Sequence, residues 1–213
     1  MNTNSIKENL RSFYNREAQL RDASEKKEWK LKVREDFLNL ALSENKTTLL
    51  EIGAGTGQDS RFFMDSGLTV TATDLSAEMI NKCREKSINA HELDYYNLSS
   101  LNQKYDCIWA MNTLLHTPKA DLSAVLNEID SVLNEDGLFY IGIYGSGEDS
   151  EHDYFTDGFS DTPRFYSFYS NNSLKAVLEN HFQIVSFEQF EVDNKSNNFG
   201  ILIFQSIVMR KRM

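Results

Sequence analysis

Three glycines at alternate positions, Gly53, Gly55 and Gly57, follow directly on the apolar run TTLLEI at 47–52. A strand that breaks into glycine lets the backbone come close to a ligand with no Cβ in the way. The helix expected after Gly57 turns unpaired N–H groups the same way. Asp74 closes a second β-branched run, LTVTAT at 68–73, and stands 21 positions after Gly53. A carboxylate there can accept from the 2′- and 3′-hydroxyls of a ribose, and its charge strengthens both bonds. Asp94, followed by Tyr95 and Tyr96, adds a carboxylate and a ring suited to the amine and the face of an adenine. Each feature also has a plainer use: a tight turn, an acid at a helix N-terminus, a loop acid.

Two ligand classes fit a glycine turn with a ribose acid: dinucleotides and S-adenosylmethionine. Dinucleotide sites want G-x-G-x-x-G, whose third glycine lets the helix pack closely under a pyrophosphate. Here the pattern is G-x-G-x-G-Q-D. Glu51 and Asp59 flank the turn; both oppose a pyrophosphate and suit a ligand carrying an ammonium and a sulfonium.

The elements that must position these residues alternate. Residues 1–46 read as one or two helices, with Val33, Phe37, Leu40 and Ala41 on one apolar face. Strands are expected at 47–52, 68–73, near 88–93, at 105–111 and at 138–144, with helices between them, including 76–86 capped by Ser76 and 119–133 with a stripe of Leu122, Val125, Leu126, Ile129, Val132 and Leu133. Residues 145–163 read as irregular, a solvated lid loop, followed by a short helix with Leu174, Val177 and Leu178. Two apolar runs, 182–192 and 200–209, are too close in sequence to be parallel. The fold expected is α/β: a doubly wound, seven-stranded, mostly parallel sheet with an antiparallel C-terminal hairpin. Residues 1–46 form a helical flank or lid, and 47–213 the main domain.

E-I-G-A-G-T-G at 51–57, T-D-L-S-x-x-M at 73–79, Asp94, and Y-D-C-I-W-A-M-N-T-L-L-H at 105–116 together resemble the class I S-adenosylmethionine-dependent methyltransferases. The resemblance implies a Rossmann-like methyltransferase fold, S-adenosylmethionine as cofactor and S-adenosylhomocysteine as product. It implies that Gly53, Ala54 and Gly55 line the methionine part, Glu51 orients the loop or the amino group, Asp59 borders it, and Asp74 holds the ribose. Leu75 and Met79 lie on the adenine, Asp94 and Tyr95 meet its edge, and Met111 and Asn112 sit near the methionine carboxylate or the sulfonium. Tyr14, in SFYNREA, resembles a lid tyrosine of some relatives.

The acceptor stays open. His116 is the candidate base, with a suitable pKa, against a structural, pocket-shaping role. Metal-using relatives carry acids beside this histidine; Leu114 and Leu115 stand here, so no metal is expected. Arg164, with Tyr166 and the neighbouring rings of TPRFYSFYS, either packs against the preceding acids or clamps a carboxylate or phosphate of the substrate; Tyr144 is a further candidate substrate contact. A similar segment occurs in methyltransferases that esterify the carboxymethyl group of wobble uridines. Net charge is −10, and no Lys or Arg lies between Lys119 and Arg164, which disfavours nucleic acid and leaves a small acidic metabolite as a candidate. A non-catalytic cofactor-binding module and a nicotinamide oxidoreductase are the rivals. His91, His152 and His181 read as surface or packing residues, and Cys83 and Cys107 as core. With no metal spacing or disulfide framework, no apolar leader and no long apolar span, a cytoplasmic setting without membrane contact is expected.

Overall fold

The computed structural model describes residues 2–156, 162–192 and 202–212, and the side chains of all of these except 152–155 and 202. The chain opens with two helices, α1 (Thr3–Asp22) and α2 (Glu28–Ser43). The Asn2 side chain caps α1 by accepting from Ser5 N at 2.9 Å. Ile6, Leu10 and Phe13 fall on one face of α1 and are buried.

Five strands follow in alternation with helices: β1 (Thr48–Ile52), α3 (Gln58–Asp65), β2 (Thr69–Asp74), α4 (Ala77–Glu85), β3 (Asn89–Glu92), β4 (Tyr105–Met111), α5 (Leu122–Val132) and β5 (Leu133–Gly145). After these come β6 (Ser150–Phe155), β7 (Arg164–Phe168), α6 (Asn171–Leu178), β8 (Phe182–Val192) and β9 (Leu202–Lys211). The large sheet runs β3-β2-β1-β4-β5-β9-β8. Its first five strands are parallel, and β9 lies antiparallel between β5 and β8. The expected doubly wound sheet with its terminal antiparallel pair is therefore present. The residues joining that pair, 193–201, lie outside the described residues.

Both faces of the sheet are covered. The α5 stripe packs on one, with Leu122, Val125, Leu126, Ile129 and Val132 all buried. On the other, Phe37 of α2 and Phe63 of α3 meet Trp109 at ring-centroid distances of 5.2 and 5.3 Å, and Trp109 stacks on Tyr140 at 3.9 Å. Cys83 and Cys107 are buried thiols. Strand order reverses between β1 and β4, so the loops leaving these two strands open side by side at the carboxyl edge of the sheet, where ligands of such sheets sit.

One expectation is corrected. Residues 145–163 are not irregular throughout: β6 occupies 150–155 and pairs antiparallel with β7 in a second, two-stranded sheet. The reason is the run RFYSF, whose five residues are all buried and which draws a partner strand from an otherwise polar stretch. The side chain of His152 and residues 157–161 lie outside the described residues.

At the opposite end of β1, Asp106 staples the sheet. Its Oδ2 accepts from the amides of Thr47 and Thr48 at 3.0 and 3.1 Å and from both hydroxyls, and its Oδ1 accepts from Asn134 Nδ2 at 2.9 Å. Burial alone would push the carboxyl up; these donors outweigh it and hold it down at about 2. A depressed folded pKa stabilises fully above the unfolded carboxylate value and is lost as pH falls through the folded one. Asp106→Asn should cost about 2 kcal/mol at neutral pH. In urea denaturation the deficit should shrink as pH falls from about 4 toward 2. A deficit independent of pH would contradict this account.

Candidate active site

The turn after β1 is built on left-handed backbone, with φ of +67° at Gly53 and +55° at Gly55. A Cβ on Gly53 would lie 2.1 Å from Thr113 Oγ1, so the turn is pressed against the loop leaving β4. A Cβ on Gly55 would meet nothing within 4 Å; that face looks into open space. The turn is pinned from β2: Ala54 N donates to Thr73 O and Gly55 N to Asp74 Oδ2, both at 2.9 Å. Asp74 Oδ1 accepts from Ser76 N at 2.9 Å. Each carboxylate oxygen keeps further acceptor capacity. Burial pushes the Asp74 carboxyl up, against the pull of these amides.

Around this turn lies a cavity of about 530 Å³, reaching from the α1–α2 link to β7. At its rim sit two more buried carboxyls. Asp59, in the first turn of α3, accepts from Lys26 Nζ at 2.8 Å, Arg34 Nη1 at 3.0 Å and Trp109 Nε1 at 3.2 Å. Burial opposes its charge, but the two cations hold its pKa down. Glu51 has no cation of its own; burial and the neighbouring Asp59 charge push it well above the usual carboxylate range, and it accepts from the Ser60 hydroxyl. Lys30 also lines the cavity, and burial lowers its amine to about 8.

The far wall is aromatic. His116 ends the 3₁₀ turn Leu114–His116 and is buried. Its Nδ1 is 2.7 Å from the Phe165 carbonyl of β7, and its Nε2 is 2.7 Å from the Tyr14 hydroxyl of α1. Arg164 Nη1 donates to that hydroxyl at 3.3 Å. The guanidinium lies 4.1 Å from the Phe13 ring centroid and is only 1 % exposed. Tyr166 meets His116 edge-on at 4.8 Å and stacks in parallel with Phe168. Asn112, at φ +55°, turns a buried Oδ1 that has no hydrogen-bond partner among the described residues.

The cavity brings together Tyr14, Glu51, Gly53, Ala54, Gly55, Asp59, Asp74, Leu75, Met79, Tyr95, Met111, Asn112, His116, Tyr144, Arg164 and Tyr166. Asp94 is not among its lining residues: it pairs with Lys7 at 2.6 Å and accepts from Tyr96 N at 3.1 Å. Reading the sequence missed Lys26, Arg34 and Trp109, which hold Asp59, and Thr113, which limits Gly53. Each meets its partner across 25 to 60 positions, and no local pattern announces such contacts. A basic α1–α2 link facing an acidic glycine turn was the one available signal.

Residues 49–137 match the family model described as "Methyltransferase domain". Over 104 residues the chain is 32% identical to a malonyl-[acyl-carrier protein] O-methyltransferase of Hamiltonella defensa, covering 48% of this chain and 40% of that protein. Over 128 residues it is 30% identical to a non-reducing polyketide synthase of Metarhizium robertsii, covering 48% of this chain and 6% of the synthase. The chain thus spans less than half the length of these two curated relatives. The fold is similar to that of the 1,6-didemethyltoxoflavin-N1-methyltransferase of Burkholderia thailandensis, solved with 1,6-didemethyltoxoflavin and S-adenosylhomocysteine bound: TM-score 0.73 at 18% identity, covering 100% of this chain and 92% of that one. Residues 49–137 therefore match a methyltransferase domain, and the sheet order is that of a fold shared with the Burkholderia enzyme.

The raised pKa of Glu51 has a thermodynamic consequence. A carboxyl protonated in the fold and ionised when unfolded stabilises fully below the unfolded pKa and loses that contribution as pH rises toward the folded one. Glu51→Gln should therefore gain roughly 2 kcal/mol relative to wild type between about pH 5 and pH 8, measured by denaturation at both values. An unchanged difference would show Glu51 ionised throughout.

Proposed function

We propose that this chain is an enzyme that transfers a methyl group from S-adenosylmethionine to a small-molecule acceptor bound between the glycine turn and the β7 wall. The observation that carries the cofactor is the pairing of an open Gly55 face with Asp74, whose two oxygens keep acceptor capacity beside it. The unmatched Oδ1 of Asn112 suits an ammonium or another donor of the ligand. When bound, the cofactor supplies an electrophilic methyl group on a sulfonium.

The protein's share is to bind, orient and exclude water. Asp74 would take the ribose hydroxyls, the backbone at Gly53 to Gly55 and Asn112 the amino-acid end, and Leu75, Met79 and Tyr95 the adenine. Alignment of two bound reactants supplies most of the acceleration. Tyr144, Tyr166 and Phe168 would flank the acceptor. Arg164 serves this site from behind Tyr14, as a buried support of the wall rather than an exposed clamp for an anion. Among the described residues, no helix is long and apolar enough to cross a membrane.

Calorimetric titration tests the reading. S-adenosylmethionine and S-adenosylhomocysteine should bind, and NAD should not. Asp74→Ala should weaken S-adenosylhomocysteine by about 2–3 kcal/mol, the scale of lost hydrogen bonds to a charge. Unchanged affinity in a folded variant would remove Asp74 from the site; absence of binding by wild type would overturn the function.

A further inference from the structure

The hydrogen bonds of His116 fix its protons. A carbonyl only accepts, so Nδ1, 2.7 Å from Phe165 O, must carry a proton. In the neutral ring Nε2 is then a lone pair, and the Tyr14 hydroxyl at 2.7 Å donates to it. Both ring nitrogens are thereby engaged by the protein. A molecule in the cavity reaches the imidazole only through the Tyr14 oxygen. That oxygen gives its proton toward His116 and accepts from Arg164 Nη1 at 3.3 Å. A phenol oxygen has two acceptor positions, so one remains for a donor in the cavity, which Tyr14 lines.

We propose that Tyr14 and His116 act as a two-member proton relay, and that the methyl acceptor is a neutral, flat compound with a phenolic O–H or a ring N–H. This rests on the methyltransferase reading above. As the bond between the acceptor atom and the methyl carbon forms, the methyl–sulfur bond breaks and its electron pair stays on sulfur. The acceptor's proton passes to the Tyr14 oxygen, and the Tyr14 proton passes to His116 Nε2. One positive charge is lost at sulfur and one appears on the imidazolium, whose Nδ1–H stays on the Phe165 carbonyl. The proton leaves later to solvent.

The surroundings suit this chemistry. His116 is 5 % exposed and Tyr14 half-buried, so the relay runs from the cavity inward. Among the described residues, the charged and titratable groups that line the cavity with the pair include Glu17 and Arg21 of α1, Arg164 and Tyr166 of β7, Tyr95 and Tyr144. The imidazole is held by the Phe165 carbonyl on Nδ1 and by the Tyr14 phenol on Nε2. An acceptor already ionised, such as a carboxylate, would need no such relay. Flat walls from Tyr144, Tyr166 and Phe168 favour a ring.

The probe is 4-nitrophenol, titrated into protein saturated with S-adenosylhomocysteine. Its phenolate band should grow on binding, and ¹⁵N spectra of labelled histidine should show His116 becoming protonated at the same time. Before addition, the spectrum should show the Nδ1–H form. In Tyr14→Phe, which keeps the ring, both responses should disappear. An Nε2–H form in the free wild type, no growth of the phenolate band, or equal growth in Tyr14→Phe would overturn the relay. Failure of wild type to bind S-adenosylhomocysteine would instead overturn the cofactor reading, and the proposal with it.

Discussion

A buried carboxylate at the carboxyl edge of a parallel sheet must find cations or give up its charge. Asp59 finds them in Lys26 and Arg34, both from the N-terminal helical segment. That requirement explains much of the architecture. It draws the α1–α2 link onto the glycine turn, fixes α2 where Phe37 can pack on Trp109, and carries α1 across the opening of the sheet. Trp109 closes the arrangement by donating its indole N–H to the same carboxylate. Further polar contacts hold the same segment on the body, among them Lys7 with Asp94, Asn15 with Ser76 and Asp22 with Lys86.

The rest of the site follows from where α1 then lies. Its Phe13 and Tyr14 come against β7, and Tyr14 completes the hydrogen bonds of a histidine 102 positions away. Glu51 is left as the second carboxyl beside Asp59, and burial together with that like charge pushes its pKa well above the usual carboxylate range. The cavity thus holds one acid paired with two cations, one whose pKa is pushed up, and one, Asp74, bonded to amides and still able to accept. Asp74, with acceptor capacity left on both oxygens, suits the hydroxyls of a ribose.

The glycine turn, Asp74 and the alternation of strands and helices were legible in the sequence because each is written locally: glycine where φ must be positive, an acid at a strand end, apolar periods of two and of three to four. The mostly parallel sheet with its antiparallel C-terminal pair followed from the same signals. The β6–β7 pair was not legible, because its first strand lies in a polar, acidic stretch and gains its pairing from the buried RFYSF run. Asp59, expected beside the ligand, lines the cavity and takes bonds from Lys26, Arg34 and Trp109, which no local pattern announced. Asp94, expected at the adenine edge, pairs with Lys7 across 87 positions. Carboxylates are the residues whose partners are hardest to read locally, since any cation brought near by the fold can claim them.

The central claim is that the cavity between the glycine turn and β7 holds an adenosyl amino acid beside the acceptor. A crystal structure of the protein grown with S-adenosylhomocysteine tests it most directly. The account predicts ligand density in that cavity, with ribose oxygens on Asp74 and the amino-acid end against Gly53 to Gly55 and Asn112, and Tyr14 still bonded to His116. Density elsewhere, or a ribose turned away from Asp74, would contradict it.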